Sequence, residues 1–373
     1  MMVKDKAISL HQLYFLIVKT QIGVGVLSLP NSVYSVSKND SWISVLIAGI
    51  FVQVILYLIW KTDKLTNGFD LLVLTKSYFG KFFGTLLQLL YLGYFVIIGT
   101  IILILYNSVM KTWVYTFTPK LIIIGLFILV SSYLVAGGLQ AVAKFYVIAS
   151  ILIIVLIICV GIAFKEAHFV YLFPIGINGL TEIVKGAKEC VLAMLGFELC
   201  FMFISYTKGT SKEKLKTLTF ANITVTLLYT FIVITNIVFY SPEELKIVPE
   251  PVLYMMKEYT FIVLERVDLL FLSVWIIVVI TTFCSYLYCA AETLEHLISS
   301  HWKKLKSSYY ILIVGFCMFL LTMIPANQIK IAKMSSLVGE ISIWFVTAVP
   351  TIFFILTIIK MKRKKRGSNE SQL

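Results

Sequence analysis

Charged residues are scarce in this chain of 373 residues. They make up 14% of the sequence, whereas hydrophobic residues make up 60%. Soluble globular domains carry about 25% charged residues, so this composition excludes a soluble fold. The apolar runs have about the 20 residues that an α-helix needs to cross a bilayer, while strands of a barrel are shorter and alternate. We therefore predict an all-α integral membrane protein.

The sequence also lacks the residue groups that catalysis and metal binding require. It has no Walker-type or metal-ligand motif, and its six cysteines fall within apolar segments without metal spacing, as small core residues do. Paired spacing is missing among the four histidines, which are His11, His168, His296 and His301. We expect no enzyme activity, no catalytic residues, no metal and no cofactor.

Ten apolar segments of membrane-spanning length follow one another with short polar connectors. They cover approximately residues 8–37, 42–60, 82–110, 119–136, 142–164, 183–206, 218–240, 266–298, 309–324 and 337–359. No connector is long enough for a separate core. We therefore predict one polytopic membrane domain over residues 1–359, followed by a basic cytoplasmic tail at 360–373.

Lysine and arginine are distributed unevenly between the connectors. An even number of spans places both termini on one side, and most basic connector residues lie on that side. The positive-inside rule then predicts cytoplasmic termini. The formal charge of +13 is explained by this bias and by attraction to anionic lipid, so no nucleic acid partner is expected. Lys19 and the missing cleavage site argue against a cleavable N-terminal signal.

Glycines interrupt the first and sixth segments near their middles. The first break is residues 23–25, before Pro30, and the second is residues 195–198. Glycine costs a helix about 1 kcal/mol relative to alanine, and open backbone groups at membrane depth survive only where they line a cavity or bind something. Because each break begins a set of five spans, we predict an inverted repeat, with repeats at about 8–164 and 183–359.

Several motifs in this order give the chain a family resemblance. They are ISLHQL at 8–13, QIGVGVL at 21–27, LP at 29–30, DSWI at 40–43, LGFE at 195–198 and ERVD at 265–268. The sequence resembles the B subunits of endospore germinant receptors, the GerAB-type family. This resemblance implies a ten-helix member of the amino acid, polyamine and organocation transporter superfamily. It further implies a LeuT-like 5+5 inverted repeat with discontinuous helices 1 and 6.

The same resemblance implies a role and partners. Such proteins sense nutrients, together with an A subunit and a lipoprotein C subunit, in the inner membrane of the bacterial spore. A small germinant would bind at the midplane, where segments 1, 3, 6 and 8 meet. The predicted ligand-binding residues are Thr20, Gln21, Gly23, Gly25, Tyr94, Ile98, Leu195, Gly196, Phe197, Thr282 and Tyr286.

The chemistry of the two breaks suggests an amino acid as the ligand. A half-helix that begins near Gly25 presents free N–H groups and a positive dipole end, which suit a carboxylate. The carbonyl groups of Leu195 and Gly196 would accept the ammonium group, and Phe197 would wall the pocket. The alternative for the first glycines is close helix packing.

Side chains of segments 3 and 8 complete the predicted pocket. Tyr94 and Tyr286 each combine a flat apolar face with one hydroxyl group, and Ile98 would limit the volume. Thr282 is a further polar residue at mid-membrane depth. The alternative is that these tyrosines are packing or interfacial residues.

Two charged residues at membrane depth are candidates for a cation site or a coupling group. Glu198 could accept backbone N–H groups and stabilise the second break, or it could titrate or contact the ligand. Lys19 could replace a cation held between segments 1 and 8 in related transporters, by bonding to Thr281, Thr282 or Ser285. Alternatively, Lys19 extends toward the cytoplasm.

Other charged residues lie next to segment 8 and at the C-terminus, outside the predicted pocket. Glu265, Arg266 and Asp268 could contact a partner or latch the outer side, or they could be ordinary interface anchors. The run at 360–366 is expected to anchor the chain to lipid headgroups.

Three functions are compatible with these features. The first is a nutrient-sensing membrane subunit of a spore germination receptor. The second is an amino acid/proton symporter that uses Glu198 or Lys19 for coupling. The third is a pore-lining subunit of a ligand-gated ion-release channel.

Overall fold

The computed structural model of the chain describes residues 6–259, 266–299, 306–324 and 327–370. Over these residues the chain forms α-helices and short 3₁₀ turns, with one isolated bridge between Ile8 and Thr207. The helices are α1 (Leu10–Gln21), α2 (Leu29–Ser37), α3 (Ser41–Thr66), α4 (Leu71–Trp113), α5 (Lys120–Ala136), α6 (Gly138–Ala149), α7 (Ile151–Gly161), α8 (Gly179–Ala193), α9 (Cys200–Phe203), α10 (Ser211–Phe239), α11 (Pro242–Ile247), α12 (Pro251–Lys257), α13 (Val267–Ser299), α14 (Ser307–Met323) and α15 (Gln328–Glu370).

Both predicted helix breaks are present. After α1 ends, a 3₁₀ turn over Val24–Val26 precedes α2. After α8 ends, a second 3₁₀ turn over Phe197–Leu199 precedes the single turn of α9. Gly196 has a φ of 121°, which L side chains rarely adopt, so the second break requires glycine at this position. The prediction of an all-α protein with discontinuous helices 1 and 6 is confirmed.

Each of the ten predicted segments contains helix. Six helices are long and apolar enough to cross a bilayer, and three shorter apolar helices accompany them in the described part of the chain. The structure extends two of the predicted elements. Residues 71–79 are helical and turn into the rest of α4 at Gly80, where φ is 73°. The basic run at the C-terminus continues α15 as helix as far as Glu370.

Polar and small residues join the helices around the breaks. Lipid is as apolar as a leucine side chain, so helix association in membranes depends on close packing and on hydrogen bonds. Gly186 of α8 lies directly against the hydroxyl groups of Ser37 and Ser44. Ser44 also donates to the carbonyl group of Ile183 at 2.9 Å. These contacts hold α8 against α2 and α3.

The two ends of the helix bundle differ in their closure. We call the end that carries the start of α1 the terminal side and the opposite end the distal side. On the terminal side, the backbone N–H of Ile8 donates to Tyr206, Lys6 forms an ion pair with Glu292, and the Tyr206 hydroxyl donates to Asp70. The terminal side is therefore sealed by contacts between the start of α1, the segment after α9, α4 and α13.

The distal side carries the short helices α11 and α12. Asn31 of α2 donates its side-chain amide to the carbonyl oxygen of Leu245 at 2.8 Å, which attaches α11 to the second half of the broken helix. Asp40, between α2 and α3, accepts from the backbone N–H of Gly176 at 2.7 Å and from the side chain of Asn178 at 3.1 Å. These bonds tie the start of α8 to the α2–α3 corner.

Candidate functional site

A cavity of about 500 Å³ lies between the two helix breaks. Its walls are the α1–α2 break, the end of α8, and parts of α4, α13 and α15. It reaches from Thr282 and Tyr286 in the interior to Lys188 and Glu340 on the distal side. Small-molecule sites have volumes of roughly 300 to 1,000 Å³, so the cavity can hold a compact ligand.

A second cavity of about 540 Å³ has a different setting. It lies between α5 and α14, and its lining is largely aliphatic and aromatic, as at Leu129, Leu312 and Phe316. These three side chains are exposed on the outer face of the bundle, where lipid would cover them. Because it adjoins neither break, we place the candidate site in the first cavity.

Most of the predicted ligand-binding residues line the cavity between the breaks. They are Gln21, Gly23, Gly25, Ile98, Leu195, Thr282 and Tyr286. The α1–α2 break and the end of α8 approach closely, because a Cβ atom on Gly25 would lie 3.1 Å from the Cα atom of Ala193. Gly25 therefore serves close packing and lines the cavity at the same time.

Four predicted residues do not line this cavity, and their contacts explain why. Thr20 donates its hydroxyl to the carbonyl groups of Leu16 and Ile17 in its own helix. A Cβ atom on Gly196 would lie 2.3 Å from the carbonyl oxygen of Thr20, so the second break packs against the first. The Gly196 carbonyl group, expected to receive an ammonium group, instead accepts the N–H of Leu199 at 3.2 Å.

The other two of these four belong to the core beside the second break. Phe197 is fully buried and is not among the residues that line the cavity. The ring of Tyr94 stacks on Phe345 with centroids 4.2 Å apart. The Tyr94 hydroxyl donates to Oε1 of Glu198 at 2.9 Å, so it is engaged within the protein.

Glu198 is the centre of a hydrogen-bonded cluster. Its Oε1 atom also accepts from the hydroxyl group of Tyr286 at 2.7 Å, and its Oε2 atom accepts from the backbone N–H of Gly196 at 2.8 Å. A buried carboxylate is costly unless hydrogen bonds satisfy it. This arrangement agrees with a structural role for Glu198 at the break, and it links the carboxylate to the cavity through Tyr286.

The bonds expected for Lys19 are not formed. Its side chain is fully buried, and its Nζ atom has no hydrogen-bond partner among the described residues. The Thr282 hydroxyl donates to the carbonyl oxygen of Lys19 at 3.1 Å and to that of Ile22 at 2.9 Å. The Tyr146 hydroxyl donates to the backbone carbonyl oxygen of Thr281 and also bonds to the hydroxyl group of Ser285.

Charged residues at the mouth of the cavity were missed by the sequence analysis. Lys188 of α8 and Glu340 of α15 form an ion pair at 3.2 Å, and Glu189 lines the cavity beside them. All three lie inside segments predicted to span the membrane. Because charged residues are rare at such positions and often functional, that signal could have identified them.

Two charged residues at the start of α13 pair with each other. Arg266 donates to both carboxylate oxygens of Asp268 at 2.9 and 2.7 Å. Asp268 is buried, so this pair fixes the start of α13. Glu265 lies outside the described residues. The role of these three residues in partner binding or latching stays a prediction.

A solved structure with a similar fold defines the class of protein. Mhp1, a nucleobase-cation-symport-1 family transporter in a closed conformation with bromovinylhydantoin bound, matches with a TM-score of 0.64. The match covers 90% of this chain and 75% of that chain at 12% identity. The fold is therefore that of a LeuT-like membrane transporter.

Sequence comparison then gives the family. The profile described as "Spore germination protein" matches residues 7–331, and the chain belongs to this family of permease-like membrane proteins. Spore germination protein GerQB of Bacillus cereus is 26% identical over 96% of this chain and 98% of its own length. Spore germination protein A2 of Bacillus subtilis (strain 168) is 26% identical over 94% of each chain.

Proposed function

We propose that this protein is the nutrient-sensing membrane subunit of a spore germination receptor, and that it binds an amino acid between the two helix breaks. The observation that carries the proposal is the cavity itself. It lies where the two broken helices meet α4 and α13. It combines the aliphatic side chains of Ile98 and Leu195 with the polar side chain of Gln21.

The start of α2 suits the ligand carboxylate. Ser28 precedes this helix and lines the cavity, but its side chain makes no capping hydrogen bond. The first N–H groups of a helix carry partial positive charge and favour an anion. The aliphatic wall then suits a small apolar side chain on the amino acid.

Sensing requires that the ligand prefer one of two conformations of the protein. Hydrogen bonds of Ser44 and Asp40 join α2, α3 and α8. At the mouth of the cavity, the exposed ion pair of Lys188 and Glu340 connects α8 to α15. We propose that ligand binding moves α8 relative to α15 at the mouth of the cavity. A and C receptor subunits in the spore inner membrane would receive this change, with both termini of this chain cytoplasmic. We also propose that its spans number ten, in two inverted repeats.

Thermal-shift screening of the purified protein tests ligand binding. The compounds are the twenty amino acids, with nucleosides and sugars as comparison sets. Because a ligand that binds only the folded state stabilises it by mass action, at least one amino acid should raise the melting temperature in a concentration-dependent way. If no compound stabilises the protein, the proposal is contradicted.

An amino acid/proton symporter is the second candidate, because the fold neighbour is a cation symporter. Uptake of a stabilising amino acid into proteoliposomes separates the two functions. Saturable binding without concentrative uptake supports the sensor. Uptake driven by a proton gradient supports the symporter.

A further inference from the structure

Gln21 carries an unused acceptor beside the cavity. It is the last residue of α1, its side chain is fully buried, and it lines the cavity. Its Nε2 atom donates to the carbonyl oxygen of Ile17 at 3.2 Å. A carbonyl oxygen only accepts, so this contact fixes the orientation of the amide. The Oε1 atom then has no partner within the described part of the chain.

Neighbouring polar groups in the interior of the cavity are already engaged. The Thr282 hydroxyl donates to the backbone of α1, and the Tyr286 hydroxyl donates to Glu198. The backbone carbonyl group of Gln21 accepts from the hydroxyl of Tyr229 at 2.9 Å. None of these hydroxyl groups therefore donates to Oε1 of Gln21, whose desolvation is uncompensated without a donor.

We infer that Oε1 of Gln21 accepts a hydrogen bond from the amino group of the bound amino acid, and that Gln21 thereby selects ligands carrying an N–H donor. This inference rests on the proposed function and deepens it. Gln21 thereby replaces Gly196 as the acceptor for the ammonium group, because the Gly196 carbonyl group accepts a hydrogen bond within the second break. Two carboxylates also line the cavity: Glu189, one helical turn from Ala193 toward the mouth, and Glu340, which pairs with Lys188.

Paired ligands with and without the amino group test this assignment. The probes are L-alanine, L-valine and L-leucine, each compared with its desamino acid, which is propionate, 3-methylbutanoate or 4-methylpentanoate. Affinities are measured by titration of the purified full-length protein. A hydrogen bond between a charged and a neutral group predicts that the wild type prefers the amino compound by about 10- to 100-fold.

Substitution of Gln21→Leu should remove most of that preference, whereas Gln21→Glu keeps an oxygen acceptor, adds negative charge and should retain it. The matched control is Gln53→Leu, because Gln53 lies outside the cavity and bonds to Thr219 and Asn222. This control should keep the wild-type ratio. Melting curves of each variant establish that it is folded, and Gln21→Met, which also lacks the amide acceptor, provides the test if Gln21→Leu does not fold.

Three results would overturn the inference. An unchanged amino-to-desamino ratio in Gln21→Leu does so while leaving the proposed function intact. Loss of the preference in Glu189→Gln, but not in Gln21→Leu, assigns the ammonium group to the mouth and has the same effect. Absence of binding of all six compounds to the wild-type protein overturns both the inference and the proposed function.

Discussion

Gly196 makes the second break possible at the scale of a single residue. Its φ is 121°, and a Cβ atom built on it would lie 2.3 Å from the Thr20 carbonyl oxygen. This conformation and this contact exclude any larger residue. Glu198 then accepts the Gly196 N–H and the hydroxyl groups of Tyr94 and Tyr286. One carboxylate thus connects both halves of the broken helix to α4 and α13.

Substitution of Gly196→Ala should destabilise the protein strongly. The unfavourable backbone conformation alone costs about 1–3 kcal/mol, and the clash with Thr20 would push the two breaks apart. Gly93→Ala is the matched control, since no described atom lies within 4 Å of its built Cβ and alanine favours a helix. Melting temperatures in detergent should fall by several degrees for Gly196→Ala only. Equal melting temperatures for both variants would contradict this account of the break.

The Lys188–Glu340 ion pair connects two elements at the mouth of the cavity. Helices α2, α3 and α8 are joined through Ser37, Ser44 and Asp40, and α15, which also packs against α3, meets α8 through this ion pair. Both charged side chains are about half exposed, at 45% and 59%. Exposed pairs of this kind contribute at most about 1 kcal/mol to stability. We therefore expect the ion pair to affect the opening of the cavity mouth more than the stability of the fold.

Charge reversal at the mouth tests this arrangement. Lys188→Glu places a third carboxylate beside Glu189 and Glu340, and the repulsion should widen the mouth of the cavity. Amino acid binding should weaken by about threefold to fivefold, which corresponds to the usual free energy of an exposed ion pair. The double variant Lys188→Glu/Glu340→Lys restores opposite charges and should bind within a factor of about two of wild type. Affinity is measured by titration in low and high salt. A double variant as weak as the single one would contradict the role of the pair.

Much of the element order could be predicted because it depends on local chemistry. Apolar runs predicted the helical segments, and glycines at 23, 25 and 196 predicted the breaks. The partners of buried polar groups could not be predicted, since they depend on how distant helices meet. Tyr94 lies 104 residues before Glu198, and the sequence alone gave no reason to join them.

The contribution of the last helix to the site was missed for a similar reason. Residues from Ala332 to Ser342 of α15 line the cavity, although the predicted site used only segments 1, 3, 6 and 8. Glu340 could have been noticed as a carboxylate in a predicted span. Its pairing with Lys188 becomes evident only when α8 and α15 are placed side by side.

At the scale of the whole molecule, the helix bundle is closed at one end, and the cavity reaches toward the other end. The terminal side is sealed by Lys6, Glu292, Tyr206 and Asp70, and the cavity reaches toward the distal side. This asymmetry is what alternating access requires of a transporter fold, and a sensor can use the same two states for signalling. Sensing therefore depends on a ligand that occupies the cavity between the two breaks.

Filling the cavity at Ile98 tests that claim most directly. Ile98 is 6% exposed and lines the cavity, whereas its neighbour Ile97 is 46% exposed on the outer face of α4. Equilibrium binding of the amino acid that gives the largest thermal shift should be abolished in Ile98→Trp, because the indole ring occupies the space of the ligand. Ile97→Trp should bind as the wild type does. Wild-type affinity in a folded Ile98→Trp protein would contradict the account.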